Sequence, residues 1–273
     1  ELYFQQVGKI PFKHADVLIA RHGKLAFAIK GGSNGDRHNH NDAGSYLINI
    51  ADSEFAGDPG NENYTVRTFS RRRYESKVLN SFAHPVPRVG GALQGTGPAF
   101  GAKVLETEFT DERDKVVLDL ADAYPAAVPI VKLIRTAVFN RKEGAVTVVD
   151  TAEFAAPTAF ESPVIAWTKP APGKDKSHFV LSRPGMKETL DVSVAVHGGE
   201  WTVSNAFVEN PGRTQPYRVS VAMREPVLKA EISFRYRLCE APSPRVEAPL
   251  AAPAGATYLD EIDLTSATCG DRK

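Results

Sequence analysis

Several side chains able to ligate a metal or carry a proton cluster in the first ninety residues, each at the end of an apolar run. His38, His40 and Asp42 fall in "GGSNGDRHNHNDAGSYLINI", Asp58 in "FAGDPGNENY" and His84 in "NSFAHPVP". On an extended backbone, residues two apart share a face, which would point His38, His40 and Asp42 one way and Asn39 and Asn41 the other. Neutral imidazole nitrogen and carboxylate oxygen are what zinc accepts, and a ligating histidine also needs an acceptor for its second ring nitrogen. The plainer alternative is a solvated polar loop, because neighbouring histidines are common and a metal needs a third ligand from elsewhere. Asp58 and His84 are the candidates for it. Asp58 has its own alternative, an Asx-type role closing the Pro59-Gly60 turn. Hairpin pairing about residues 51–54 sets Asp58 opposite roughly Leu47, some 20 Å along the strand from His40. The histidine loop must therefore fold back, with Gly44 as the bend, for the three to meet.

A second chemical stretch is "TFSRRRYESK". As a strand it would set Arg71 and Arg73 on one face and Arg72 and Tyr74 on the other. Guanidinium forks suit carboxylate and sulfate, and a tyrosine beside them can stack on a sugar or move a proton. Charges that protect a solvated edge strand are the alternative. "GGALQGTG" lacks the Gly-Lys-Ser/Thr of a phosphate loop, and no Gly-x-Ser-x-Gly occurs. His178 and His197 read as exposed turn residues.

The elements that must position these groups are strands. "ADVLIARHGKLAFAIKGG" and "GSYLINIADSEFAGDPG" alternate about short turns, and "AKVLETEFTDERDKVVLDLADAY" and "LIRTAVFNRKEGAVTVVDTAEF" repeat the pattern with charged turns. Shorter runs follow from Pro157 on, and no window shows a sustained helical period. The expectation is an all-β chain of stacked antiparallel sheets with little helix. One sandwich domain spans 1–240, and a Pro/Ala-rich segment follows over 241–273.

Composition narrows the partners. Lys plus Arg and Asp plus Glu both number 33, so no global charge attracts nucleic acid or an anionic membrane. There is no apolar run long enough to span a bilayer and no signal peptide within the sequence. Cys239 and Cys269 fit no metal-ligand spacing. The opening "ELYFQQ" resembles a protease recognition sequence used for tag removal and reads equally as a native strand.

The three ordered segments, "GGSNGDRHNHNDAGSYLI", "FAGDPGNENYT" and "RRRYESKVLNSFAHPVPRVGG", resemble the β-sheet domain of heparinase II/III-like polysaccharide lyases, which act on heparin, heparan sulfate or alginate. Order and spacing match over about Val7 to Gly91, and the strand pattern continues to about Arg224. The resemblance implies zinc held by His40, Asp58 and His84, and a cleft-facing His38 that assists proton transfer. It also implies Asn39, Arg73 and Tyr74 as substrate contacts. A departure is His84-Pro85, where the family more often has His-Asn. The family cleaves uronic-acid-containing polysaccharides by β-elimination in the periplasm or outside bacterial cells. Its cleft lies between this sheet domain and an N-terminal toroid of helices, which supplies a tyrosine and an asparagine or histidine. No such helical region precedes Ile10, so the expectation is a chain that is incomplete and inactive alone. Two other classes fit the same residues: a non-catalytic β-sandwich that binds acidic carbohydrate, and a metallohydrolase using His38, His40, Asp58 and His84.

Overall fold

A computed structural model describes residues 17–240 and the backbone of the pair 260–261. "ELYFQQ", Cys269 and most of the Pro/Ala-rich segment lie outside the described residues. Two large antiparallel sheets account for the fold, as expected for an all-β sandwich. The first runs in the order β1 (Val17–His22), β2 (Leu25–Lys30), β4 (Tyr46–Ile50), β5 (Ser53–Ala56), β11 (Phe160–Ala166), β16 (Tyr217–Met223), β15 (Trp201–Phe207) and β18 (Asp260–Glu261), with β6 (Arg88–Val89) beside β11. The second runs β12 (Ala171–Pro172), β13 (His178–Ser182), β14 (Glu188–His197), β17 (Val227–Glu240), β10 (Ala145–Thr158), β9 (Ile130–Asn140), β8 (Arg113–Asp119), β7 (Gly97–Phe109) and β3 (Gly32–Asn34).

Strand alternation decides which side chains go inside. On β9, Leu133, Arg135, Ala137 and Phe139 are buried while their neighbours are partly exposed, and on β10 Val146, Val148, Asp150, Ala152 and Phe154 repeat the phase. Facing them from the first sheet are Phe27, Ile48, Phe55, Val164 and Val219, so a single apolar core lies between the layers. Tyr46 of the first sheet and Tyr236 of the second meet hydroxyl to hydroxyl at 2.5 Å inside it. Chain neighbours need not share a sheet: β14 and β15 follow one another through Gly198 and Gly199, yet β14 pairs with β17 and β15 with β16.

The hairpins expected from the sequence form, that of β4 and β5 with a register shift between Ile48 and Asn49. β1 and β2 turn at Gly23-Lys24, β4 and β5 at Ala51-Asp52, and β9 and β10 at residues 141–144. Between β5 and β6 no strand forms. That stretch is a chain of turns with short 3-10 segments at Arg67–Phe69, Arg73–Glu75 and Ser81–Ala83, lying at the end of the first sheet where β5 stops.

Candidate metal centre

The loop that carries the two histidines folds back, as the spacing required. Gly44 takes φ +85°, and a Cβ there would lie 2.5 Å from a methyl of Leu120, so only glycine makes this bend. Its N–H donates to Lys30 O at 2.8 Å, returning the chain to the end of β2. Buried Asn34 fixes the rest from below. Its Oδ1 accepts from the backbone N–H groups of Asp42 and Ala43, and its Nδ2 donates to Gly95 O and Gln94 Oε1. Gln94 in turn donates to Ala43 O at 2.8 Å. The backbone around Asp42 and Ala43 is thereby held by side chains rather than by a ladder.

Extended alternation fails over His38 to Asp42. His38 adopts φ +61° and is exposed, whereas His40 turns inward and is half-buried. Asp42 leaves the expected shared face and accepts from Lys30 Nζ at 2.6 Å and from Ser45. The cause is the backbone hydrogen bonding: Asn41 N–H donates to Leu79 O rather than to a strand partner, which rotates each side chain away from strict alternation.

Asp58 and His84 do arrive beside His40, and ligand atoms of all three lie within 4.8 Å of one another. Asp58 follows Gly57, whose positive φ brings the backbone against Leu47. Asp58 closes its turn and also faces His84. Its Oδ1 accepts from Gly60 N–H at 2.7 Å and closes the Pro-Gly turn, while its Oδ2 lies 3.8 Å from His84 Nδ1. His84 is fully buried at the end of the turn Ser81–Ala83, which Asn80 caps by accepting from Phe82 N–H at 2.9 Å. Arg218 donates to Phe82 O at 2.8 Å and stacks over its ring, holding the turn onto the first sheet.

The donor geometry suits a cation. His84 Nε2 lies 3.1 Å from Val78 O and 3.2 Å from His40 Nδ1, whereas Nδ1 is buried with no hydrogen-bond partner. With Nε2–H donating to the carbonyl, Nδ1 keeps a lone pair aimed toward Asp58. This is the arrangement by which an outer acceptor orients a ligating imidazole. Burial, with the neighbouring His84 adding to it, pushes His40 down to about 4, so the ring is neutral at physiological pH. Tetrahedral zinc, with bonds of about 2.0–2.1 Å, sets its ligand atoms about 3.3 Å apart, a modest contraction from the spacing seen here. Two imidazoles, one of them with an orphaned buried nitrogen, and one carboxylate thus fit zinc. Burial also pushes Glu54 up to about 7, with the Asp58 charge adding to it, while Glu54 accepts from Asp58 N–H at 2.6 Å.

The Arg71 to Tyr74 stretch is not a strand. It bends through the turn Arg73–Glu75, closed by Glu75 N–H to Arg72 O and Ser76 N–H to Arg73 O. Arg73 spans two carbonyls, Thr68 O and Asn39 O, each at 3.0 Å, and Tyr74 donates to Asn39 Oδ1 at 2.9 Å. Asn39, Arg73 and Tyr74 are brought together, with their polar groups turned on one another. The peptide between His38 and His40 is therefore clamped at both its carbonyl and its side chain. Arg71 is exposed and makes no ion pair among the described residues.

Sequence reading missed the pair that anchors the site from inside. Arg135 is fully buried and bonds Asp150 through two parallel 2.7 Å hydrogen bonds, and its Nη1 donates to Gly44 O at 2.7 Å and to Pro85 O at 2.5 Å. One guanidinium on the second sheet therefore holds the loop after His40 and the residue after His84. A signal was present: "LIRTA" and "VVDTA" carry opposite charges on the inward phase of consecutive strands, and the register pairs them directly. Glu62 was missed as well. It is buried and accepts from Ser76, Thr68 and Arg67 at 2.5 to 2.6 Å.

No protein-family model and no curated protein matches this sequence. Solved structures do share its fold. A heparinase III gene product superposes with a TM-score of 0.66 at 11% identity, over 86% of this chain and 36% of that one. The heparan sulfate lyase HepC of Pedobacter heparinus gives 0.60 at 12% identity, over 89% of this chain and 40% of that one. A Salmonella typhimurium protein described as a mutarotase, YeaD, gives 0.53 at 8% identity, over 84% of this chain and 92% of that one. At such identities the likeness is one of fold. The chain spans well under half the length of the two lyases. No helix among the described residues is long and apolar enough to cross a membrane.

Proposed function

We propose that this chain is the zinc-bearing sheet part of a polysaccharide lyase that cleaves a uronic-acid-containing glycan by β-elimination. The observation that carries this reading is the convergence of His40, Asp58 and His84 from three separate segments, with His38 exposed on the same loop. The shared fold with two heparin-type lyases supports it. When bound, zinc supplies a fixed positive centre that ties these segments together. The remaining work falls to side chains. In β-elimination a base removes the uronate C5 proton, the C–H electrons form the C4–C5 double bond, and the C4–O bond breaks, its oxygen taking a proton. Imidazole suits either proton transfer near neutral pH. In this reading His38 takes one of them, with the neighbouring Asn39 held by Arg73 and Tyr74. Neutralising the uronate carboxylate, which makes the C5 proton acidic, needs donors beyond those near His38. In this proposal a helical toroid of the same longer protein supplies them, the protein is exported to the periplasm or secreted, and the 273-residue chain by itself has little or no turnover.

Ultraviolet absorbance of the unsaturated product tests the reading, with heparan sulfate, alginate and hyaluronan offered to the longer protein. His38→Ala should abolish turnover while zinc is retained, and His84→Ala should lose both. Undiminished turnover in His38→Ala contradicts the assigned role, and enzyme-like turnover by the chain alone contradicts its dependence on a second domain. A second reading, a binding module without chemistry, is favoured by one observation: Arg71 is exposed with no ion pair among the described residues, so its guanidinium is open to an acidic sugar. Glycan binding without turnover in any longer form would establish it.

A further inference from the structure

The turn-rich segment between β5 and β6 carries an apolar crest that neither the metal centre nor the core uses. Tyr64, Val66 and Phe69 are 61%, 89% and 69% exposed, and the two rings meet edge to face with centroids 5.5 Å apart. Isolated exposed apolar residues are ordinary, but three on one short loop are not. The loop beneath them is built firmly. Buried Glu62 gathers Arg67, Thr68 and Ser76, Thr65 N–H donates to Thr68 Oγ1, Asn210 donates to Asn61 O, and Arg213 donates to Asn63 Oδ1. A buried carboxylate thus holds a tip that displays aromatic rings to solvent, which is how a binding surface avoids ordering costs when a ligand arrives.

Its position relative to His38 follows from Arg73. One guanidinium bonds both Thr68 O, next to Phe69, and Asn39 O, next to His38, so the crest and the exposed imidazole flank the same side chain. Arg37 and Arg71, both exposed and without an ion pair among the described residues, stand one residue before His38 and two after Phe69. Aromatic faces beside unpaired guanidinium groups match the chemistry of an acidic sugar, whose C–H face packs on a ring while its carboxylate or sulfate takes the fork.

We infer that Tyr64, Phe69 and Arg71 form a subsite for one acidic sugar unit of an oligosaccharide that runs past His38. The inference deepens the lyase reading and rests on it for the identity of the ligand.

Calorimetric titration of the 273-residue chain with hexasaccharides of alginate and of heparan sulfate, and with uncharged cellohexaose, tests it. The wild-type chain should bind at least one acidic hexasaccharide and prefer it to cellohexaose. The double variant Tyr64→Ala/Phe69→Ala should bind at least about tenfold more weakly. Arg71→Ala should lose affinity mainly at low salt. Unchanged melting temperature and zinc content would show that the variants remain folded. Undiminished binding by the double variant, equal affinity for cellohexaose, or no binding of either acidic hexasaccharide by the wild-type chain overturns the subsite. The lyase reading fails separately, on the zinc and His38 measurements in the longer protein.

Discussion

Two charged clusters, joined where Arg135 bonds the carbonyl of Pro85 next to His84, differ in how completely they are satisfied. In the interior, Arg135 spends its donors on both oxygens of Asp150 and on two backbone carbonyls, and Asp150 also accepts from Ser162 at 2.5 Å. At the rim, His84 keeps a buried nitrogen with no partner, facing a carboxylate oxygen 3.8 Å away. Buried polar groups in folded proteins are almost always paired, so the first cluster is complete as architecture and the second keeps a lone pair available to a ligand. The satisfied pair also holds the unsatisfied one in place, through Gly44 beside the His40 loop and Pro85 beside His84.

Breaking the interior pair should cause the largest loss. Asp150→Ala leaves a buried guanidinium unpaired and should cost about 3–5 kcal/mol in chemical unfolding. The double change Arg135→Met/Asp150→Leu should recover much of that stability, yet leave zinc bound more weakly, since two carbonyls would still have lost their donor. Recovery of both stability and zinc affinity would show that the pair acts on the fold alone.

Acid should act on the rim instead. His40 is neutral in the folded protein until about pH 4, whereas in the unfolded chain it protonates near its ordinary 6.5. Its contribution is thus full above about pH 6.5 and declines as pH falls toward 4, because the unfolded state takes up the proton first. Urea unfolding of metal-stripped protein across that range should show the decline, and His40→Ala should flatten it.

Smaller effects sharpen the contrast within the histidine loop. Tyr74→Phe removes one hydrogen bond to Asn39 and should cost about 1 kcal/mol, with His38-dependent turnover in the longer protein falling further than stability does. His38→Gly should raise stability by up to about 1 kcal/mol, because glycine relieves the positive φ, while removing the exposed imidazole. A drop in stability would mean that the ring packs against something the loop needs.

Much of the sandwich was legible because alternation, turn residues and strand length agreed along most of the chain. Residues 17–56 illustrate this, with the hairpins β1–β2 and β4–β5 turning where the sequence placed them. The site was legible in residue identity and less so in geometry. Strand logic failed at His38 to Asp42 and at Arg71 to Tyr74, where side chains and backbone bond to distant carbonyls rather than to a ladder, and no local pattern encodes a partner such as Leu79 O or Asn39 O. Arg135 and Asp150 escaped for a different reason. Their inward phase was readable, but what the guanidinium would hold depended on loops folding back from 50 and 91 residues away.

The account turns on whether His40, Asp58 and His84 bind zinc. Metal analysis of the purified 273-residue chain after dialysis with zinc, alongside His84→Ala, is the direct measurement. One zinc per chain in the wild type, and none in a variant that keeps its β-sheet circular dichroism, is the expected result. A folded wild-type chain that holds no zinc, or a His84→Ala chain that holds a full equivalent, would contradict it.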